Sequence, residues 1–281
     1  ITLPALRAGS VISPASFQLV SALYNATVRD YKTHLVNGGR VERDGPRVRM
    51  IIPPVAAEAY ADAQIDDYEH ELPRRFANAP PLRLSVRARF SHNRDALKGT
   101  AGFGFWNHPF SREGAVVDPP RNVWFFHGSP ESDLEVARSM PGHGFKAAML
   151  NTPPIPFGAG GTPNVFSRLA SAAANLALRA RPLARLAMAA GRLVVNAREQ
   201  MLDSAVPDLR HWHTYSLDWR PNAAVFTVDG TEILRAHRPP AGPLGFVAWV
   251  DNYRVTAAGG RYDWGYVASS EPQWLELEFL E

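Results

Sequence analysis

Residues 212–230 constrain what this chain can fold into more than any other stretch. They read Trp-His-Thr-Tyr-Ser-Leu-Asp-Trp-Arg-Pro-Asn-Ala-Ala-Val-Phe-Thr-Val-Asp-Gly. Tyr215, Leu217 and Trp219 alternate with Thr214, Ser216 and Asp218, the two-residue period of a strand with one face in a core. Arg220-Pro221-Asn222 interrupts the run, Ala224–Val228 resumes it, and Asp229-Gly230 ends it with a dipeptide suited to a tight hairpin turn. A chain built around such a hairpin must find further strands to cover its apolar face.

Those strands are legible elsewhere. Leu82, Leu84, Val86, Ala88 and Phe90 alternate with Arg83, Ser85, Arg87, Arg89 and Ser91. Gly99–Trp106 is a glycine-spaced strand whose glycines let something pack closely against its backbone. Asn122–His127 and Gly144–Leu150 are short apolar strands, and Leu275, Leu277 and Phe279 alternate with Glu276 and Glu278 in a final one. Before residue 80 the pattern is irregular. Phe17–Tyr24 suits a strand or a short helix, Val48–Ile52 a strand stopped by Pro53-Pro54, and Ala56–Tyr68 a helical turn or a loop over the sandwich.

Residues 162–206 have a different texture. Leu183, Leu186, Ala187, Ala190, Leu193, Val194, Ala197 and Met201 follow helical spacing, with Arg181, Arg185 and Arg192 opposite. From 164 to 206 six arginines face only Glu199 and Asp203, so the positive charge of a chain that carries just +3 is concentrated there. The expectation is an amphipathic helical insertion. It could act as a lid, pack on the sandwich edge, or touch a membrane surface.

Composition excludes several function classes. The chain has 281 residues and no cysteine, so disulfides, thiolate metal sites and a cysteine nucleophile are ruled out. That leaves both a cytoplasmic and a secreted, disulfide-free protein open. A net charge of +3 does not point to nucleic acid, and no apolar run is long enough for a membrane helix. The chain opens at Ile1 rather than Met, so an upstream segment is expected to have been removed or left out, a signal peptide among the options. No phosphate-binding loop or serine-nucleophile elbow is present, and no cofactor is implied. His211-x-His213 has the spacing of a metal pair, but no metal site is expected.

The 212–230 stretch resembles the signature hairpin of concanavalin-like jelly-roll proteins, above all the laminarinase-like family-16 glycoside hydrolases. Their counterpart reads roughly His-Thr-Tyr-x-x-Glu-Trp-x-Pro-x-x-x-x-Phe-x-Val-Asp-Gly, and His213 matches a structural histidine in it. The resemblance covers roughly residues 82–151 and 208–281 in the family's order. It implies an all-β fold, an antiparallel jelly-roll β-sandwich, in one domain over 1–281 with the helical segment 162–206 inserted.

In that family two carboxylates on one strand face do the chemistry, one as nucleophile and one as acid. The resemblance puts that strand at Asn122–His127, where the equivalent positions are Asn122, Trp124 and Phe126, or His127 if a bulge intervenes. None is a carboxylate. A rival placement exists, because Glu131-Ser132-Asp133-Leu134-Glu135 is literally Glu-x-Asp-x-Glu, though it follows a Gly-Ser-Pro turn. If Leu244–Tyr253 is one extended strand, Trp249, Asp251 and Tyr253 share a face suited to stacking on a ring while bonding a hydroxyl. By analogy Trp106, His108, Trp124, His127 and Asn151 line the same cleft, with Asn122 and Phe126. Two function classes follow. One is a binding protein whose aromatic cleft holds a carbohydrate or a partly apolar ligand. The other is an enzyme using Glu131 and Glu135, or altered chemistry with His127 and Asp251.

Overall fold

A computed structural model describes residues 31–71, 74–110, 118–134, 140–152, 195–258 and 261–280. These residues fold into two stacked antiparallel sheets of seven strands each, a concanavalin-like sandwich. The front sheet begins with β1 (Lys32–Val36), β4 (Asp62–Asp66), β13 (Gly245–Asp251) and β6 (Thr100–Trp106). It continues with β7 (Arg121–Gly128), β8 (Gly144–Asn151) and β9 (Asn196–Met201). The back sheet runs β12 (Thr231–His237), β11 (Ala223–Val228), β10 (His213–Trp219) and β5 (Leu82–Phe90). It ends with β16 (Gln273–Phe279), β3 (Arg47–Ile52) and β2 (Arg40–Asp44). A separate hairpin joins β14 (Tyr253–Ala258) to β15 (Arg261–Tyr266).

The 212–230 stretch is the hairpin its pattern predicts. Tyr215 pairs with Val228 and Trp219 with Ala224. Asp229 and Gly230 both take positive φ, 48° and 81°, the geometry that matches the right-handed strand twist and that glycine adopts without cost. Tyr215, Leu217 and Trp219 point into the core with Leu84, Val86 and Phe90 from β5. Across the sandwich they meet Phe103, Phe105, Phe125 and Phe145. Phe103 and Phe125 lie edge-on to the Tyr215 ring, at 5.3 and 5.1 Å, the offset arrangement aromatic rings favour. Trp219 is fully buried and satisfies its indole N–H on the Pro240 carbonyl at 3.0 Å.

Two expectations are corrected. Ala56–Tyr68 contains β4, whose residues are all buried and hydrogen-bonded between β1 and β13. The end of the expected helical insertion is a strand: Asn196–Met201 pairs antiparallel with β8, Asn151 opposite Asn196 and Lys146 opposite Met201. Ala197 and Met201 satisfy an i, i+4 spacing, but they equally satisfy a two-residue one. The free hydrogen-bonding edge of β8 decides between them. The rest of that segment, with the helix, lid and membrane-contact readings attached to it, lies outside the described residues, as does Phe17–Tyr24. No helix occurs among the described residues.

Candidate functional site

Strand alternation sorts the front sheet into two faces. Ala63, Ile65, Phe103, Phe105, Val123, Phe125, Phe145, Ala147, Phe246 and Ala248 enter the core. Their neighbours turn outward to form what is here called the front face. Row by row across β13, β6 and β7 it carries Trp249, Gly102 and Phe126, then Val247, Gly104 and Trp124, then Gly245, Trp106 and Asn122. Tyr68, Phe126, Val247 and Trp249 bury one another here, with Phe76, Trp106, Trp124 and Leu134 packed against them.

Trp124 is the hub of this second apolar cluster. Its ring lies 5.2 Å from Trp249, 5.4 Å from Phe126 and 5.7 Å from Trp106. Trp106 stacks on His108 at 4.8 Å and donates its indole N–H to the Tyr68 hydroxyl at 2.7 Å. Trp249 donates to Thr100 Oγ1 at 2.9 Å. The glycines of β6 make room for this: a Cβ on Gly102 would stand 2.9 Å from the Trp249 ring and 2.4 Å from the Phe125 carbonyl oxygen. Two indoles can lie over β6 because its alternate residues have no side chain.

Beside the aromatic rows runs a set of buried acids. Asp62, Gln64 and Asp66 face outward from β4, and Asp251 sits opposite Asp62 in register. Asp251 accepts hydrogen bonds from the Thr100 N–H and hydroxyl, at 3.1 and 2.8 Å, and from the Tyr60 hydroxyl at 3.3 Å. Burial pushes its carboxyl up to about 6, against those hydrogen bonds, which pull it down. Burial and the neighbouring Asp251 and Asp66 carboxylates push Asp62 well above the usual range. Burial and the charges of Asp62 and Asp251 likewise push the Tyr60 phenol well above its ordinary value. Among the described residues no lysine or arginine pairs with Asp62, Asp66 or Asp251. Asp66 is met instead by His70 Nε2 and Gln64 Nε2, both at 2.8 Å, and Asp62 by His34 at 3.9 Å.

Buried polar atoms on or beside this face that have no protein partner among the described residues include Asp62 Oδ1, Asn122 Oδ1, His108 Nδ1 and Arg74 Nε. His108 also holds a positive φ of 39°, a conformation that a non-glycine residue adopts at a cost. Burial, with Arg74 and His70 close by, pushes its imidazole down to about 3, so the ring is neutral at physiological pH. Farther along, Lys146 and Glu199 form an ion pair at 3.4 Å, with side chains 2% and 3% exposed.

The expected site residues therefore divide. Trp106, Asn122, Trp124, Phe126, Trp249 and Asp251 share the front face, and His108 borders it through its stack on Trp106. His127 does not. No bulge interrupts β7, so its ring turns into the core, fully buried, with Nε2 at 3.1 Å from the Leu97 carbonyl oxygen. Burial pushes it down to about 4, and it cannot share a substrate with Asp251. Asn151 lies at the end of β8 and donates to the Arg238 carbonyl at 3.1 Å, away from the aromatic rows. Tyr253 leaves the face because the strand ends at Asp251. Buried Asn252 turns the backbone by bonding the Ala61 N–H and the Ala59 and Val267 carbonyls.

Glu131 and Asp133 are exposed in the turn that follows β7, and Glu135 lies outside the described residues. Glu131 holds Lys98 Nζ at 2.6 Å. Its partial burial favours the protonated form, but hydrogen bonding, chiefly from Lys98, outweighs this and keeps the carboxyl below its usual value. Asp62, Gln64, Asp66, Tyr68 and His70 escape a reading of the sequence that takes 56–68 as helix or loop. The signal was there: polar Asp62, Gln64 and Asp66 alternate with apolar Ala63 and Ile65. Among the described residues no group of three His, Asp or Glu is placed to hold a metal.

In sequence the chain matches no known family model and no curated protein. Solved structures are similar to it at the level of the fold. A β-glucanase from Bacillus licheniformis has 12% identity and a TM-score of 0.39, with 88% of this chain and 89% of that one covered. The catalytic domain of an endo-1,3-β-glucanase (laminarinase) from Thermotoga petrophila has 12% identity and a TM-score of 0.37, covering 89% and 96%. A GlcNAcα1-4Gal-releasing endo-β-galactosidase from Clostridium perfringens has 9% identity and a TM-score of 0.40, covering 88% of this chain. This chain spans only 56% of that enzyme. Likeness at this level carries no chemistry across, and the residues of the front face must supply it.

Proposed function

We propose that the front face binds a carbohydrate without cleaving it by the two-carboxylate route. The observation that carries this reading is the pairing of an indole array with buried polar atoms that no described residue partners. Sugars present apolar C–H faces that pack on aromatic rings and hydroxyls that donate and accept at the same time. Trp124, Trp106 and Trp249 offer the rings. Asp62 and Asn122 offer acceptors that no described residue fills, and such atoms are costly to bury without a partner.

Against hydrolysis stands the composition of β7. A retaining glycosidase needs two carboxyl groups about 5–5.5 Å apart flanking the scissile bond. The outward positions of β7 are an amide, an indole and a phenyl ring. Glu131, from the rival placement, is exposed in the turn after β7 and ion-paired to Lys98, so it suits at most the ionised nucleophile and not the general acid.

The test is titration of a panel of β-glucan and other neutral oligosaccharides by calorimetry, with intrinsic tryptophan fluorescence read in parallel. Binding to at least one class is expected, and Trp124→Ala is expected to lose it. Failure to bind any member would overturn the reading. So would release of reducing ends from a bound glycan that is lost in Glu131→Gln, which would return the chemistry to the acidic turn.

A further inference from the structure

A row of imidazoles runs along the edge of the front sheet, where β1 meets β4. His34 lies opposite Gln64 in register and shares the outward face with Asp62 and Asp66. Its ring stacks on His70 at 4.7 Å with 17° between the planes. His70 in turn meets His108 edge-on at 5.2 Å, and His108 ends the row against Trp106. The two stacked rings are not equally provided with charge. His70 has Asp66 at 2.8 Å, whereas His34 has only the longer contact with Asp62 at 3.9 Å.

Little else fastens the middle of β1. Lys32 to Leu35 are exposed and Val36 is half-buried, so the strand brings almost no apolar surface to the core. Tyr31 anchors one end by stacking on Phe246 at 4.8 Å. The turn into β2 fixes the other, with the Gly39 N–H on the Val36 carbonyl at 3.1 Å. Between these anchors lies an edge strand paired on one side to β4, the kind of segment that opens locally while the rest stays folded.

A proton on His70 is matched by Asp66. A second proton, on His34, meets the first face to face. Asp62 is a poor counter-ion for it, because burial beside Asp251 and Asp66 favours the neutral carboxyl. No other group around the pair, among the described residues, supplies the missing anion. Lys32, on the same face of β1, is paired with Glu69, and Asp67 is engaged by Asn78 and the Phe246 N–H. Tyr68 holds its hydroxyl against the Trp106 indole, and His108 and Arg74 bring no negative charge.

We infer that His34 and His70 form an acid-sensitive latch on the edge strand: β1 stays on β4 while the pair carries at most one proton, and loosens when it carries two. Burial and the neighbouring His70 push the His34 imidazole below its ordinary 6.5, against the pull of Asp66. In the opened strand the ring regains that ordinary value. Closure is therefore fully favoured above 6.5 and weakens as pH falls from there through the lower value of the closed form. Asp62 and Asp251 act in the opposite sense, since burial makes them take up protons first in the folded chain. The latch must accordingly be read at β1 itself and not from global unfolding.

The test is amide hydrogen exchange of Lys32–Val36 in the full chain at about pH 7.5 and about pH 5, corrected for the intrinsic exchange rate. The proteins are the wild type, His34→Gln and His70→Gln, with the amides of β13 as an internal reference. Acid should increase opening of β1 about fivefold more in the wild type than in His34→Gln, the repulsion of two unit charges at this separation in a water-like medium. His70→Gln can still donate to Asp66 and should abolish most of that difference, because the first charge is gone. The β13 amides should show no such difference between the proteins. An equal acid response in the wild type and His34→Gln would overturn the latch. So would a wild-type response in His70→Gln, which would make the effect the burial of one ring, or a response shared equally by β13, which would make it global.

Discussion

The two outer faces of this sandwich are built from opposite materials. The back face is laced by charge. Glu276 accepts hydrogen bonds from Arg49 at 3.0 Å and Arg89 at 2.8 Å, and Glu278 from Arg87 at 3.1 Å. The guanidinium groups of Arg89 and Arg87 lie over Trp212 at 4.7 and 5.2 Å, and that of Arg49 over Trp274 at 5.0 Å. There each acid meets two cations and the indoles serve as shelves for arginine. On the front face the indoles pack on one another, and Asp62, Asp66 and Asp251 are buried with no lysine or arginine paired with them among the described residues. A surface selected only for stability resembles the back face. A surface that keeps a row of acids dry beside one another is spending stability on something else.

Filling the front-face gap should have the largest effect. Gly102→Ala places a Cβ against the Phe125 carbonyl and the Trp249 ring, and should cost about 3 kcal/mol in denaturant unfolding together with loss of glycan binding. A smaller cost would mean that the indoles do not depend on the bare backbone of β6.

Next comes the pH dependence of Asp251. Burial lifts its carboxyl from 3.8 to about 6 in the folded chain. At the lowest pH both states hold the proton, and burial carries no charge penalty. As pH rises the unfolded chain releases its proton first, so stability falls until the folded group titrates near 6. That amounts to ~3 kcal/mol between about pH 4 and about pH 7. Asp251→Asn keeps the shape and can still accept from Thr100, so it should gain on the wild type by that amount across the window. A constant difference between the two proteins would contradict the burial.

The back face should answer differently. Glu276→Ala strands two arginines that are about one-third exposed and should cost ~2 kcal/mol, with glycan affinity unchanged. Smallest is Arg47→Ala, which removes a pair at 3.7 Å from an arginine that is half in solvent, for about 0.5 kcal/mol or less and less still at high salt.

How much of this could be read from residues follows the same division. The back-sheet strands and the 212–230 hairpin alternate cleanly because one face is core and the other wet, and the two-residue period is then loud. The front sheet is buried on both faces at its centre, so β13 reads as a nearly uniform apolar run; β4 does alternate, but over only five residues, and its outer row of acids escapes a reading of 56–68 as helix or loop. The indoles of β6, β7 and β13 were legible as a common face once those strands were aligned. His127 was misplaced because its position depended on a bulge that only hydrogen-bond register can reveal. Tyr253 was assigned to Asp251's face because nothing in the run Val250-Asp251-Asn252-Tyr253 announces that Asn252 will cap three backbone groups and turn the chain. Asn196–Met201 misled for the reason short segments often do: six residues can satisfy two periods at once.

The claim at the centre of this account is that the two faces, each carrying partly exposed tryptophan, have different purposes. One paired measurement addresses it: calorimetric titration of the best-bound oligosaccharide into Trp124→Ala and Trp212→Ala, with unfolding free energies measured for both. Front-face recognition predicts that Trp124→Ala loses at least about tenfold in affinity, while Trp212→Ala binds as the wild type does and loses only stability. Equal affinity in both variants, or loss of binding confined to Trp212→Ala, would contradict it.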